Sequence, residues 1–245
     1  MIIKTLSGNS SSTVSIVEDN GVHFVRKTDN ISRNLERYSA LSYLNLPFPR
    51  ILTVTDKFYD IEYVKHIDIK TYLLHEHPKF LLDFIIYVID TLRKTSVQKN
   101  YSEIYYNKLQ YIDFSCFSFS KDDLMNKLPL IVPKSEYFGD FSFDNILFDL
   151  DSNEFKLIDG LTTEYDSYIF DLHKLKQDLI CNWFIRKEKI RISHQLTYIN
   201  DVLKQKYEYF DDKYLTILML LRVLPYCKTN FDKTFIQTQV NKLWI

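Results

Sequence analysis

The sequence is poor in glycine and lacks the cysteine patterns that build metal centres or disulfide scaffolds. Its 245 residues include four glycines and three cysteines, Cys116, Cys181 and Cys227, which are far apart in the chain. Without a Cys-x-x-Cys pair or a Cys/His ligand spacing, a structural zinc site is excluded. The cysteines are therefore expected to be reduced thiols, as in a cytosolic protein.

Long apolar runs and a strong net charge of either sign are also missing. The most apolar stretch, residues 80–92, is too short to span a bilayer and contains two aspartates. The N-terminal segment lacks the apolar run of a signal peptide. A formal net charge of −1 argues against a protein built mainly to coat nucleic acid. We therefore expect a cytoplasmic protein with no membrane or nucleic-acid partner.

What is present is an apolar, aromatic-rich composition that favours a globular fold. Hydrophobic residues make up 46% and aromatic residues 16% of the chain. Residue patterns predict strands at 2–6, 14–17, 22–27, 51–54 and 57–64, an Asn-Gly hairpin turn at 20–21 and one helix at 34–44. Later segments are mostly helical, including 80–92 and 214–224, with a hairpin at 145–158. We predict an α+β fold with a small antiparallel β lobe (1–64) and a larger, mainly helical lobe (65–245).

Two of the four glycines stand beside aspartates, in the part of the chain with the strongest chemical signal. Segment 139–145 reads Gly-Asp-Phe-Ser-Phe-Asp-Asn, and Asp159 with Gly160 follows the predicted hairpin. Phosphoryl transfer needs a carboxylate that orients the attacking hydroxyl, and oxygen groups that hold magnesium beside the phosphates. Asp140 is the predicted catalytic base, and Asn145 and Asp159 are the predicted metal ligands.

The N-terminal part offers groups suited to nucleotide phosphates. The loop after the first strand contains Gly8, Ser10 and Ser11, whose backbone N–H groups and hydroxyls can surround a phosphate. Lys27, at the end of the third strand, can reach the α and β phosphates, and Glu36 in the following helix can pair with it. Each feature alone has a commoner explanation, such as a solvated lysine or a weak surface pair. Their order along the chain favours an ATP-dependent kinase.

In this order the residues resemble the aminoglycoside phosphotransferase and choline kinase families, which are relatives of protein kinases. Segment 139–145 resembles the families' His-Gly-Asp-x-x-x-x-Asn loop, and Ile158 with Asp159 resembles their Ile-Asp metal motif. The resemblance covers most of the chain. It implies a bilobal protein-kinase-like fold, ATP and Mg²⁺ as cofactors, and an alcohol group as phosphate acceptor.

Two further segments resemble parts of the same families. Segment 61–64 resembles the hinge between the lobes, which implies that backbone groups of Glu62 and Val64 bind the adenine. Segment 170–175 resembles the families' Asp-Leu-Ala-Lys-Leu segment, which implies that Asp171 braces the catalytic loop.

The sequence of the 139–145 loop most resembles the corresponding loop of a bacterial subgroup associated with surface-polysaccharide biosynthesis. That loop reads roughly Gly-Asp-Phe-Cys-Phe-Ser-Asn. This implies a sugar or sugar derivative as acceptor, in capsule or lipopolysaccharide biosynthesis. The sequence departs from the families at Phe138, where a histidine is usual, and at Gly160, where an aromatic residue or proline usually follows the metal aspartate. These departures motivate an alternative, a catalytically weak or inactive pseudokinase that binds nucleotide or a partner.

A protein kinase is less favoured, because the short stretch between Asp159 and Asp171 leaves little room for an activation loop. The acceptor is expected near Glu164, Asp166 and the tyrosine-rich segments at 101–111 and 198–209. Carboxylates there would suit a cationic acceptor, and aromatic rings would suit a sugar face or a quaternary amine. Both acceptor classes, either donor nucleotide and any oligomeric state are compatible with the sequence.

Overall fold

The computed structural model describes residues 1–6, 12–94 and 96–245, which form two compact units. The first unit comprises Met1–Tyr72 and Asp144–Thr163, and the second comprises Leu73–Phe143 and Glu164–Ile245. The chain therefore returns to the first unit for one hairpin before it completes the second. The boundary predicted after residue 64 stays a prediction, because compactness alone does not show which parts fold independently.

Ten strands and nine α-helices occur in the described part of the chain. In order, the strands are β1 (Ile2–Leu6), β2 (Thr13–Asp19), β3 (Val22–Thr28), β4 (Ile51–Val54), β5 (Phe58–Glu62), β6 (His66–Asp68), β7 (Ser96–Asn100), β8 (Ile131–Ser135), β9 (Ile146–Asp149) and β10 (Glu154–Leu157). The helices are α1 (Ser32–Leu41), α2 (Ile69–His75), α3 (Lys79–Leu92), α4 (Ser102–Leu109), α5 (Lys121–Met125), α6 (Tyr168–Cys181), α7 (Ser193–Lys206), α8 (Lys213–Val223) and α9 (Asn230–Trp244).

The first unit contains an antiparallel sheet with strand order β1-β2-β3-β5-β4. The predicted hairpin between β2 and β3 is confirmed: Asn20 and Gly21 have φ angles of 50° and 79°, the left-handed conformation that a tight hairpin turn requires. A second sheet, β10-β9-β6, includes the predicted later hairpin. Strand β6 lies in a segment for which the sequence pattern predicted no strand.

Helix α1 begins and ends earlier than the predicted range of 34–44. The α-helix ends at Leu41, and a 3₁₀ turn over Ser42–Leu44 completes the expected segment before the prolines. Its inward side packs beside a small core formed by Ile31, Tyr38 and Tyr59. The helix thus presents one buried face to the rest of the first unit.

The second unit is mainly helical, which confirms the predicted α+β class. One of its hydrophobic core clusters combines residues of α4, α6, α8 and α9, and the middle of α8 is buried on all sides. A two-stranded sheet, β7-β8, completes the unit. None of the described helices combines the length and the apolar character that crossing a bilayer requires.

Candidate active site

The first unit holds a close ion pair between two predicted site residues. The ammonium of Lys27 lies 2.7 Å from Oδ1 of Asp159, although 132 residues separate them in the chain. Strand β3 places Lys27 between β2 and β5, and its side chain is only 7% exposed. Burial of the ammonium strengthens the contact, although the Asp159 side chain stays 39% exposed to water. The pair therefore joins the predicted nucleotide lysine to the predicted metal carboxylate.

The choice of Lys27 over its neighbour Arg26 agrees with the alternation of side chains along β3. Arg26 forms two hydrogen bonds to Asp60, at 2.8 and 2.9 Å, and its guanidinium stacks on the ring of Phe58. These contacts occupy the guanidinium on the face of the sheet opposite to Lys27. Lys27 is consequently the basic residue of this strand that meets Asp159.

Helix α1 holds the backbone of the predicted metal segment. Asp159 has a left-handed φ of 59°, and its N–H donates to the Tyr38 hydroxyl at 2.8 Å. One turn earlier on the same helix face, Asn34 donates from Nδ2 to the Gly160 carbonyl at 2.8 Å. Burial, and then the negative charge of Asp159, raise the pKa of Tyr38, so the phenol stays protonated. These contacts stabilise a backbone conformation that aspartate seldom adopts.

Among the described residues, Glu36 does not form the expected ion pair with Lys27. Positions 34 and 38 share one face of α1, whereas position 36 is about 200° away from each and is exposed. Asp159 takes the place of Glu36 beside the lysine. Any part of Glu36 in nucleotide binding stays a prediction.

The two predicted metal ligands lie at the same end of the β9–β10 hairpin. Ile146 pairs with Leu157, and the next backbone contact is the Ile158 N–H donating to the Asn145 carbonyl at 3.0 Å. Asp159 is the next residue in the chain after Ile158, so its backbone lies close to that of Asn145. Carboxylate and amide oxygens fit Mg²⁺, which prefers hard oxygen ligands and is usually held by few protein groups. No cluster of three or more histidine, cysteine or acidic side chains suited to a metal occurs in the described residues.

The structure describes the predicted hinge segment but not the predicted phosphate-binding loop. Glu62 ends β5, and its N–H donates to the Arg50 carbonyl at 2.9 Å. Val64 is buried, and its carbonyl accepts from Nδ1 of His66 at 2.7 Å. A cavity of about 380 Å³ is lined in part by Glu62 and Val64, and adenine binding there stays a prediction. The phosphate-binding candidates Gly8, Ser10 and Ser11 lie outside the described residues.

The second unit contains Asp140, on a loop anchored to helix α6. Both oxygens of Asp171 accept backbone N–H bonds, one from Phe138 and one from Gly139 at 2.8 Å. Gly139 has a φ of 92°, which few other residues tolerate. Asp171 is 2% exposed, so water does not compete for these bonds. The predicted contact of Asp171 with the loop that carries Asp140 is confirmed, and the catalytic role of that loop stays a prediction.

Further along α6, two residues contact the same loop. The ammonium of Lys174 lies 3.0 Å from Oδ1 of Asp140. Asp178, buried one turn further on, accepts from the Phe143 N–H at 2.8 Å. Neither residue had a role predicted from the sequence. Lys174 stands where the segment that resembles Asp-Leu-Ala-Lys-Leu has its lysine. Lys174 and Asp178 also follow Asp171 by three and seven positions, which places all three on one helix face.

Asp166, expected near the acceptor, is already neutralised within the second unit. Its carboxylate contacts Lys99 at 2.7 Å, Lys134 at 3.3 Å and the Tyr101 hydroxyl at 2.8 Å. Burial works to raise the pKa of Asp166, but these hydrogen bonds hold it below its usual range. The Asp166 carboxylate is thus part of a hydrogen-bond and ion-pair network within the second unit. Tyr101 and Tyr105 are fully buried core residues rather than rims of a ligand cage.

Comparison with solved structures shows the same fold over nearly the whole chain. A thermostable mutant of aminoglycoside phosphotransferase APH(4)-Ia, in ternary complex with ADP and hygromycin B, is similar with a TM-score of 0.68 and 12% sequence identity, over 98% of this chain and 92% of the other. Choline kinase LicA from Streptococcus pneumoniae is similar with a TM-score of 0.63 and 11% identity, over 100% and 94% of the two chains. The chain has the fold of these kinases.

A third similar structure is an ethanolamine kinase from Plasmodium vivax, with a TM-score of 0.57 and 11% identity, over 99% of this chain and 81% of the other. No protein-family model matches the sequence, and no curated protein is significantly similar to it. At these identities the likeness establishes the protein-kinase-like fold, as the sequence predicted, and leaves the substrate to be argued from the site.

Proposed function

We propose that the protein is a phosphotransferase that moves the γ-phosphoryl group of ATP, with Mg²⁺, to a hydroxyl of a small molecule. The observation that carries this proposal is the 2.7 Å contact of Lys27 with Asp159. It joins the predicted phosphate-binding lysine to the predicted metal carboxylate across 132 residues. Asp159 compensates the buried charge of Lys27, and nucleotide phosphates would be further anionic partners for the same ammonium.

In the reaction, the acceptor oxygen forms a bond to the γ-phosphorus while the bond to the β–γ bridging oxygen breaks. ATP and an alcohol become ADP, a phosphate monoester and one proton. Asp140 accepts the hydroxyl proton, and Lys27 contacts the nucleotide phosphates. Asn145 and Asp159 would hold Mg²⁺, which supplies positive charge to the phosphates when bound.

We propose a sugar or sugar derivative as the acceptor. The structures with this fold include an enzyme crystallised with hygromycin B and a choline kinase, so the fold supports both cationic and sugar-like acceptors. In this chain Asp166 is neutralised by two lysines, which removes one carboxylate that a cationic acceptor would use. The resemblance of segment 139–145 to a polysaccharide-biosynthesis subgroup supports the same choice and suggests a place in capsule or lipopolysaccharide assembly. A cytoplasmic location stays a prediction.

The test is release of ADP from magnesium-ATP in the presence of sugars, polyols, choline and aminoglycosides. Asp140→Ala is expected to abolish acceptor-dependent release while nucleotide binding persists. Asp83→Ala is the matched control, because Asp83 is an aspartate on α3 of the second unit whose side chain is 54% exposed. Full turnover in Asp140→Ala would refute the assigned roles. Nucleotide binding without turnover for every acceptor would favour the pseudokinase alternative.

A further inference from the structure

Three residues on one face of α6 hold successive points of the loop that carries Asp140. Asp171 accepts from the backbone at the start of the loop, and Asp178 accepts from Phe143 at its end. Lys174 lies between them on the helix and contacts the Asp140 side chain itself. The two aspartates fix the backbone of the loop, and Lys174 contacts the side chain that the proposed reaction uses.

The surroundings of Lys174 distinguish it from an ordinary surface lysine. Its side chain is 16% exposed, whereas the Asp140 side chain is 36% exposed. A lysine ordered in this way gives up side-chain freedom, and a solvated pair repays little of that cost. A pair that is partly shielded from water is stronger, and it leaves the more exposed partner accessible from one side.

We propose that Lys174 is a positioning residue for Asp140: its ammonium holds Oδ1 so that the carboxylate keeps one orientation toward the acceptor hydroxyl. This inference rests on the proposed phosphotransferase function. A carboxylate that rotates freely about its Cβ–Cγ bond meets the hydroxyl in the correct geometry for only part of the time. Small losses of alignment lower the rate of a transfer step substantially.

Lys176 provides a matched control on the same helix. It is also buried, but its ammonium donates to the Phe210 carbonyl at 2.5 Å and lies 3.6 Å from Asp211. Lys176→Met removes the same charge from α6 without touching the pair of Lys174 with Asp140. It therefore reports what the loss of a buried lysine on this helix does by itself.

The kinetic test compares Lys174→Met, Lys174→Arg and Lys176→Met with the unchanged protein. Lys174→Met is expected to lower kcat about 10- to 100-fold with the KM for ATP within about twofold, because only the alignment of Asp140 is lost. Lys174→Arg should recover part of the loss, since its guanidinium can also contact the carboxylate. A kcat within twofold of the unchanged protein in Lys174→Met, or an equal loss in Lys176→Met, would overturn the proposal.

A double-mutant cycle tests whether Lys174 acts through Asp140. In the Asp140→Asn background, adding Lys174→Met should change the residual kcat by less than about twofold. Multiplicative losses would show that Lys174 acts elsewhere and would refute the positioning role.

Urea unfolding of the four proteins of this cycle separates the inference from the proposed function. They are the unchanged protein, Lys174→Met, Asp140→Asn and the double variant. Trp183 and Trp244 both belong to the second unit, so tryptophan fluorescence reports its unfolding. A pair that exists in solution gives non-additive changes in the unfolding equilibrium constant, about threefold or more. Additive changes overturn the proposal whether or not the protein transfers phosphate. Non-additive changes in a protein without phosphotransferase activity would support the pair and refute the proposed function.

Discussion

Acid should destabilise the second unit through one buried histidine, His173 on α6. Its Nε2 lies 3.0 Å from the Tyr209 carbonyl, which can only accept, so this nitrogen carries the proton. Its Nδ1 lies 2.8 Å from the Thr216 hydroxyl and accepts from it. Burial, followed by the positive charge of Lys176, lowers the pKa of His173 from 6.5 to about 3. Between pH 6.5 and about pH 3 the imidazole is therefore neutral in the folded protein but charged in the unfolded chain.

The direction of the effect follows from proton binding. Between pH 6.5 and pH 3 the unfolded chain binds a proton at His173 and the folded protein does not, so stability falls as the pH is lowered through this window and is fully present above it. At pH 5 the charged form of His173 outweighs the neutral form about 30-fold in the unfolded chain. In the folded protein the charged form makes up only about one part in 100. The resulting loss of unfolding free energy between pH 7 and pH 5 is about 2 kcal/mol.

The assay is urea unfolding followed by tryptophan fluorescence at pH 7, 6 and 5, for the unchanged protein and for His173→Gln. Glutamine keeps a donor and an acceptor but does not titrate. His173→Gln should be less stable at pH 7, and the difference should shrink by about 2 kcal/mol at pH 5. Lys176→Met should also flatten the pH dependence, because it removes the second cause of the lowered pKa. If the unfolding free energies of the unchanged protein and His173→Gln differ by the same amount at pH 7 and pH 5, the reasoning is refuted.

Three further substitutions, one of them with Tyr59→Phe as its control, test the site. Asp171→Asn turns an NH₂ group toward one of two backbone N–H donors, so we expect an unfolding free energy lower by about 2–4 kcal/mol in the fluorescence assay, with turnover at least tenfold lower. Tyr38→Phe leaves the Asp159 N–H without its acceptor and should weaken Mn²⁺ binding in the presence of ADP, measured by calorimetry; Tyr59→Phe, which keeps that acceptor, should not. Lys27→Met should raise the KM for ATP about tenfold or more in the ADP-release assay.

Features that depend on neighbouring residues could be predicted from the sequence. The turn at Asn20 and Gly21 and the hairpin before Asp159 follow from local backbone preferences, and both are present. The order of Lys27, Asp140 and Asp159 along the chain predicted the kinase-like fold, because that order is set by the topology rather than by any one contact.

Features that depend on which helix face turns inward could not be predicted. Tyr38 shares its apolar periodicity with the core positions of α1, so nothing in the sequence separates its hydroxyl contact with Asp159 from ordinary packing. Glu36 was predicted to pair with Lys27, yet it lies on the exposed side of the same helix. Strands β6 and β7 are short, and their polar residues hide the alternation that reveals a strand.

The replacement of the families' histidine by Phe138 is the strongest reason in the sequence to expect an inactive protein, and the loop geometry weakens it. Phe138 is fully buried and meets the ring of Phe141 edge-on at 5.9 Å, while its backbone N–H donates to Asp171. Any residue except proline supplies that N–H, so the brace does not need an imidazole. Phe138→His should therefore lower the unfolding free energy by about 1–3 kcal/mol, because it places a polar ring in an apolar core, without raising turnover. A tenfold gain in ADP release would show instead that the missing histidine limits catalysis.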